Sequence, residues 1–103
     1  MMPIVEMLEK YAAQKNARFH MPGHKGYGSG APKFLAECFP FDITELDFSD
    51  NLADPSGAIA SAQRLYAEAY GAEKCLFSTN GSTCGVLAML ASARGKIMAE
   101  RAS

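Results

Sequence analysis

Both histidines of this 103-residue chain fall in one run, Arg18-Phe19-His20-Met21-Pro22-Gly23-His24-Lys25-Gly26, with the cations Arg18 and Lys25 beside them. Two histidines at i and i+4 can share a zinc ion when they lie on a helix. Pro22 and Gly23 argue against a helix here, however, and no Glu follows the first His, so no metal site is expected. Two readings remain for His20, His24 and Lys25. Either they form a cationic loop that orients anionic groups or reaches a neighbouring active site, or they form a surface loop whose imidazoles satisfy local carbonyls.

A second constellation is Asn80-Gly81-Ser82-Thr83, set between an apolar run and an apolar helix. The first N–H groups of a helix have no partner inside it. Together with the positive end of the helix dipole and two hydroxyls they make a cup for a phosphate or carboxylate. Gly81 permits the tight backbone such a cup needs. The competing reading is that Ser82 simply caps the helix, as Ser, Thr, Asp or Asn does at many helix starts. Neither G-x-x-x-x-G-K-[ST] nor a post-strand G-x-G-x-x-G is present, so neither nucleotide fingerprint applies. Cys84, in the first turn of that helix, is placed where the dipole favours a thiolate. It has no second cysteine or local base and reads better as a packed small residue. Asp47, Asp50 and Asp54 lack the spacing and terminal Glu of a calcium loop, which leaves capping, or pairing with the basic loop, as their role.

The elements that must position these residues follow from periodicity. Ile4, Val5, Leu8, Tyr11 and Ala12 share one stripe, predicting a surface helix over 3–15 that starts near Pro3. Residues 16–40, rich in Gly and Pro, keep no period and read as a long loop. Ile59, Ala62, Leu65, Tyr66 and Ala69 predict a helix that Asp54 or Ser56 can cap and Gly71 stops. The run 74–79 reads as a buried strand, 83–94 as an all-round apolar helix ended by Gly95, and 96–99 as another strand. Residues 74–100 are thus expected to form a β-α-β unit with parallel strands, and the fold class is expected to be α/β. Two strands do not complete a parallel sheet, so the chain reads as the front end of a longer protein with its sheet incomplete.

Composition narrows the function classes. A net charge of -1 gives no drive toward nucleic acid. No apolar run approaches the roughly 20 residues that cross a bilayer, and Glu6 and Glu9 interrupt the only stretch that could act as a signal peptide, so a cytoplasmic, membrane-free protein is expected. Three cysteines without a C-x-x-C pair read as reduced thiols. The near-neutral total hides a strong segregation: residues 1–33 carry a net +3, residues 34–55 a net -6, and the remainder +2. Within 41–54 carboxylates alternate with apolar residues, the mark of an ordered amphipathic segment.

Three strings in order carry a resemblance: 18–26 as quoted above; Asp42-Ile43-Thr44-Glu45-Leu46-Asp47 with Asp54-Pro55-Ser56-Gly57-Ala58-Ile59; and Tyr70-Gly71-Ala72-Glu73-Lys74 leading to Asn80-Gly81-Ser82-Thr83. From about Arg18 to Arg101 the chain resembles the start of the Orn/Lys/Arg decarboxylase family. These are pyridoxal 5'-phosphate (PLP) enzymes with the aspartate-aminotransferase fold, acting on small basic amino acids in the setting of polyamine metabolism. With no receiver-like wing domain ahead of it, the chain looks closer to the short form. The resemblance implies that Gly81, Ser82 and Thr83 hold the PLP phosphate at the start of a large-domain helix, within a truncated PLP-binding part spanning 56–103. It implies that residues 1–55 wrap a homodimer interface near the substrate entrance, which would give helix 3–15 a partner and bring His20, His24 and Lys25 beside the active site. The ring-stacking His, the pyridine-pairing Asp and the Schiff-base Lys of the family come later in the chain, so this piece alone is expected to be inactive. A related PLP aminotransferase or lyase, and a non-catalytic anion-binding or dimerisation module, stand as the alternatives.

Overall fold

The computed structural model describes residues 1–100. The first helix, α1, spans Pro3–Ala13, with Pro at its opening position, where a missing N–H costs nothing. Glu6 in the first turn and Lys10 in the last suit the helix dipole. Two short elements interrupt the Gly/Pro-rich run that the sequence presents as loop: α2, Lys33–Ala36, and a 3-10 turn, Phe39–Phe41. Next come α3, Ala58–Tyr70, and α4, Gly81–Ser92. Gly71 stops α3 as its sequence predicts. It takes the left-handed φ of +63° that lets the Ala72 N–H fold back to the Ala67 carbonyl at 2.9 Å.

Helix α1 packs against α3 and against the 3-10 turn, so its apolar stripe finds a partner within the chain. At this junction Tyr11 is 6% exposed and Phe48 stacks on its ring, with centroids 4.9 Å apart. Ala67 of α3 is the other buried apolar residue among those described. The 16–40 run is held compact by one close approach. A Cβ at position 28 would fall 2.2 Å from the Ala36 Cβ, so only glycine fits there.

The α/β expectation is not met. Among the described residues there are four α-helices and no strand: neither 74–79 nor 96–99 enters a ladder. The reason is that a parallel strand is a property of a pair. An extended segment whose N–H and C=O groups meet no neighbouring segment stays an irregular connection, however apolar its sequence. Leu76, in the expected strand core, is 70% exposed. Phe77 reaches only the edge of Tyr66 on α3, at 5.8 Å between ring centroids.

The helix between the two expected strands forms as its composition demands, yet nothing among the described residues covers it. Val86, Leu87, Met89 and Leu90 all lie open on α4. A helix apolar on every side belongs inside a protein. The chain as a whole agrees, with an accessible surface of 8498 Å², against about 5,600 Å² for a compact monomer of 11 kDa. Its radius of gyration is 18.2 Å, where about 13 Å is usual for 100 residues.

Candidate functional site

The turn before α4 is built from the backbone up. Ser78 Oγ accepts the Asn80 N–H at 3.4 Å, Asn80 occupies the N-cap position, and Gly81 follows with φ of +69°. A side chain at 81 would meet nothing within 4 Å, so glycine is required here by torsion and not by crowding. Of the two readings of this turn, capping by Ser82 is not realised. The cap position falls on Asn80, and no side chain bonds to the free N–H groups of α4. Ser82 and Thr83 are exposed. Cys84 is half-buried and, like Cys38 and Cys75, a free thiol.

The histidine loop is a separate assembly, and among the described residues no hydrogen bond or ion pair joins it to the 80–83 turn. His20 takes the hydroxyl of Tyr11 at Nε2 and lies against the Met21 carbonyl at Nδ1. A carbonyl only accepts, so Nδ1 carries the proton and Nε2 is the acceptor for Tyr11. His24 has the opposite arrangement. Its Nδ1 accepts the Gly26 N–H at 3.0 Å, which leaves Nε2 to donate to Asp42 Oδ2 at 3.1 Å. Its ring also stacks on Phe39. Lys25 donates to the His20 carbonyl at 2.6 Å, while Arg18 lies over the Tyr11 ring and donates to the carbonyls of Phe39 and Pro40 at 3.4 and 2.8 Å. Thus the structure joins His20 with Lys25 through one backbone oxygen and turns His24 toward the acidic segment. Tyr11, Phe39 and Asp42 complete the loop. The only hint of them in the sequence is the change of sign between residues 1–33 and 34–55.

Among the carboxylates, Asp50 caps, though not in the place that local spacing favours. The start of α3 has neither Asp54 nor Ser56 as its cap. Asp50 reaches forward instead, accepting the N–H groups of Ser56, Gly57 and Ile59 at 2.8 Å each and that of Ala60 at 3.3 Å. These donors, Ser56 first among them, hold the carboxyl well below its ordinary value of 3.8. They also offset the left-handed φ of +71° at Asp50, which aspartate tolerates better than most residues. No group of three or more ligating side chains fit for a metal ion occurs among the described residues, and no described helix is long and apolar enough to cross a membrane.

Comparison with known proteins adds to this geometry. An arginine decarboxylase of Bacillus subtilis (strain 168) is 33% identical over 92 residues, which is 85% of this chain and 19% of that protein. The uncharacterized protein YaaO of the same organism is 36% identical over 93 residues, 87% of this chain and 19% of that protein. An arginine decarboxylase of Halalkalibacterium halodurans is 31% identical over 97 residues, 90% and 20% of the two chains. The chain therefore spans about a fifth of the length of these curated relatives. No solved structure matches it. The family profile described as "Orn/Lys/Arg decarboxylase, major domain" matches residues 2–101, nearly the whole sequence, and the chain belongs to that decarboxylase family.

Proposed function

We propose that this chain is the part of a PLP-dependent basic amino acid decarboxylase that anchors the cofactor by its phosphate. The observation that carries the reading is the opening of α4: a helix start with no side-chain cap, a glycine in the left-handed region, and the exposed Ser82 and Thr83. Those residues fit a phosphate. The open N–H groups and the dipole supply a positive end, and two hydroxyls supply further donors. When bound, PLP supplies the electron sink that accepts the pair released as the α-carboxylate of the substrate leaves as CO2. Gly81, Ser82 and Thr83 fix one end of the cofactor, so that its ring keeps one register through the reaction.

Two arginine decarboxylases among the relatives support a small basic amino acid as the substrate. The same reading places residues 1–55 at a homodimer interface, with His20, His24 and Lys25 near the entrance of the active site. The exposed Phe19, Tyr27 and Phe34 supply apolar surface for such an interface. The test uses pyridoxamine 5'-phosphate, which keeps the phosphate and lacks the aldehyde that reacts with any lysine. Equilibrium dialysis is expected to show retention of this probe over pyridoxamine, and loss of that preference in the Ser82→Ala, Thr83→Ala double variant. Equal retention of the two probes overturns the proposal. In the full-length protein, CO2 as the product supports a decarboxylase, and a keto acid supports an aminotransferase.

A further inference from the structure

A cavity of about 280 Å³ opens on the far side of the histidine loop, lined by Lys15, Asn16, Arg18, Lys25, Gly26 and Tyr27. Neither histidine lines it, and neither does any carboxylate. Three cations therefore converge on one concavity with no counter-charge. Arg18 and Lys25 are half-buried, yet their hydrogen bonds run only to neutral carbonyl oxygens. Among the described residues no carboxylate lies within ion-pairing distance of either of them, or of Lys15. Withdrawing cations from water without an opposite charge is unfavourable, and an anion in the cavity removes that cost.

The backbone gives an independent indication. Lys15 and Lys25 both hold left-handed φ values, +50° and +54°. Lysine has no short polar side chain with which to offset that conformation, so each position carries backbone strain. At Asp50 four N–H bonds compensate the same kind of strain; at Lys15 no hydrogen bond among the described residues does so. Gly26 completes the arrangement. A Cβ there would fall 2.6 Å from Arg18 Nη1, so the glycine leaves the guanidinium its place at the cavity wall.

We infer that this cavity is a binding site for a phosphate-type dianion, separate from the turn before α4. A tetrahedral oxyanion presents acceptors in several directions. That suits donors arriving from two lysines and an arginine better than the two coplanar oxygens of a carboxylate do. The inference stands whether or not the α4 turn holds PLP.

The test is a calorimetric titration of the full-length protein with inorganic phosphate at fixed ionic strength, read beside the amide shifts that phosphate induces. Saturable binding is expected, with shifts at Lys15, Lys25 and Gly26 in the unaltered chain. Lys15→Asn with Lys25→Asn, which keeps a residue tolerant of left-handed backbone while removing the charge, is expected to weaken binding by roughly tenfold or more. Lys15→Arg with Lys25→Arg should restore it, and Ser82→Ala with Thr83→Ala should leave the shifts at Lys15 and Lys25 in place. No saturable binding, no shift at these three amides, or equal affinity for acetate overturns the assignment. Phosphate binding that is lost only with Ser82 and Thr83 overturns it too, while leaving the α4 reading intact.

Discussion

His24 lies flat on Phe39, with ring centroids 4.2 Å apart and planes 13° from parallel, and this stack aims its Nε2 at Asp42. A basic loop and an acidic segment eighteen residues further on are thereby joined through an aromatic contact as well as a polar one. The bonds around the two histidines assign them opposite neutral tautomers. Long-range 1H–15N spectra, recorded where both rings are neutral, are expected to show the proton on Nε2 of His24 and on Nδ1 of His20. A common tautomer for both rings contradicts the loop geometry. Tyr11→Phe is expected to release the His20 ring and leave the His24 signals in place.

Asp50 caps α3 from outside the helix, and its removal should cost helix where removal of Asp54 does not. Circular dichroism of Asp50→Ala is expected to lose intensity at 222 nm, Asp50→Asn to lose less because one acceptor oxygen survives, and Asp54→Ala to match the parent. The carboxyl titrates below its ordinary 3.8 in the folded chain, so its contribution is complete at neutral pH and declines as pH falls below about 4. The acid-induced loss of helix between about pH 4 and pH 2 is expected to be shallower in Asp50→Asn. An unchanged slope in that window would falsify the linkage.

At the opening of α4, torsion and binding separate. Gly81→Ala forces a side chain into a φ of +69° and should cost roughly 1–2 kcal/mol of stability in the full-length protein, measured by denaturant titration. Ser82→Ala and Thr83→Ala touch no internal bond and should stay within about 0.5 kcal/mol of the parent, while losing retention of a phosphate-bearing cofactor. Stability loss from the serine and threonine changes would instead assign them an internal role.

With so much apolar surface open, the 103-residue chain by itself should not melt as a two-state domain. A broad thermal transition and strong binding of a hydrophobic dye are expected, with retained far-ultraviolet helix signal. A sharp calorimetric peak would show that the exposed faces of α4 are covered, for instance by association of copies.

The helices were legible because each carries its own evidence: the Ile4–Leu8–Tyr11 stripe, the Ile59–Leu65–Ala69 stripe with Gly71 behind it, and the uninterrupted apolar run at Val86. The strands expected at 74–79 and 96–99 do not form, since pairing depends on a neighbour that these residues do not contain. The brief α2 and the 3-10 turn are too short to show a period. The N-cap of α3 was misplaced because the local pattern Asp54-Pro55-Ser56 offers nearer candidates than Asp50, and only the folded path of 50–57 brings that carboxylate within reach. Part of the candidate site was legible in the same uneven way. Gly81 announced its backbone, and the cationic run 18–26 announced a loop. The division of that loop into a histidine side and a lysine-arginine cavity depended on Pro40 and Tyr11, which arrive from other elements.

Because Asp50 supplies acceptors to the first turn of α3 from seven to ten positions upstream, that helix cannot easily nucleate alone. Its initiation is tied to closure of the Leu46–Ser49 turn, where Ser49 Oγ accepts the Leu46 N–H at 2.7 Å. A synthetic peptide of residues 54–72 is therefore expected to stay mostly coil in water, while one beginning at residue 44 gains helix, as circular dichroism would show.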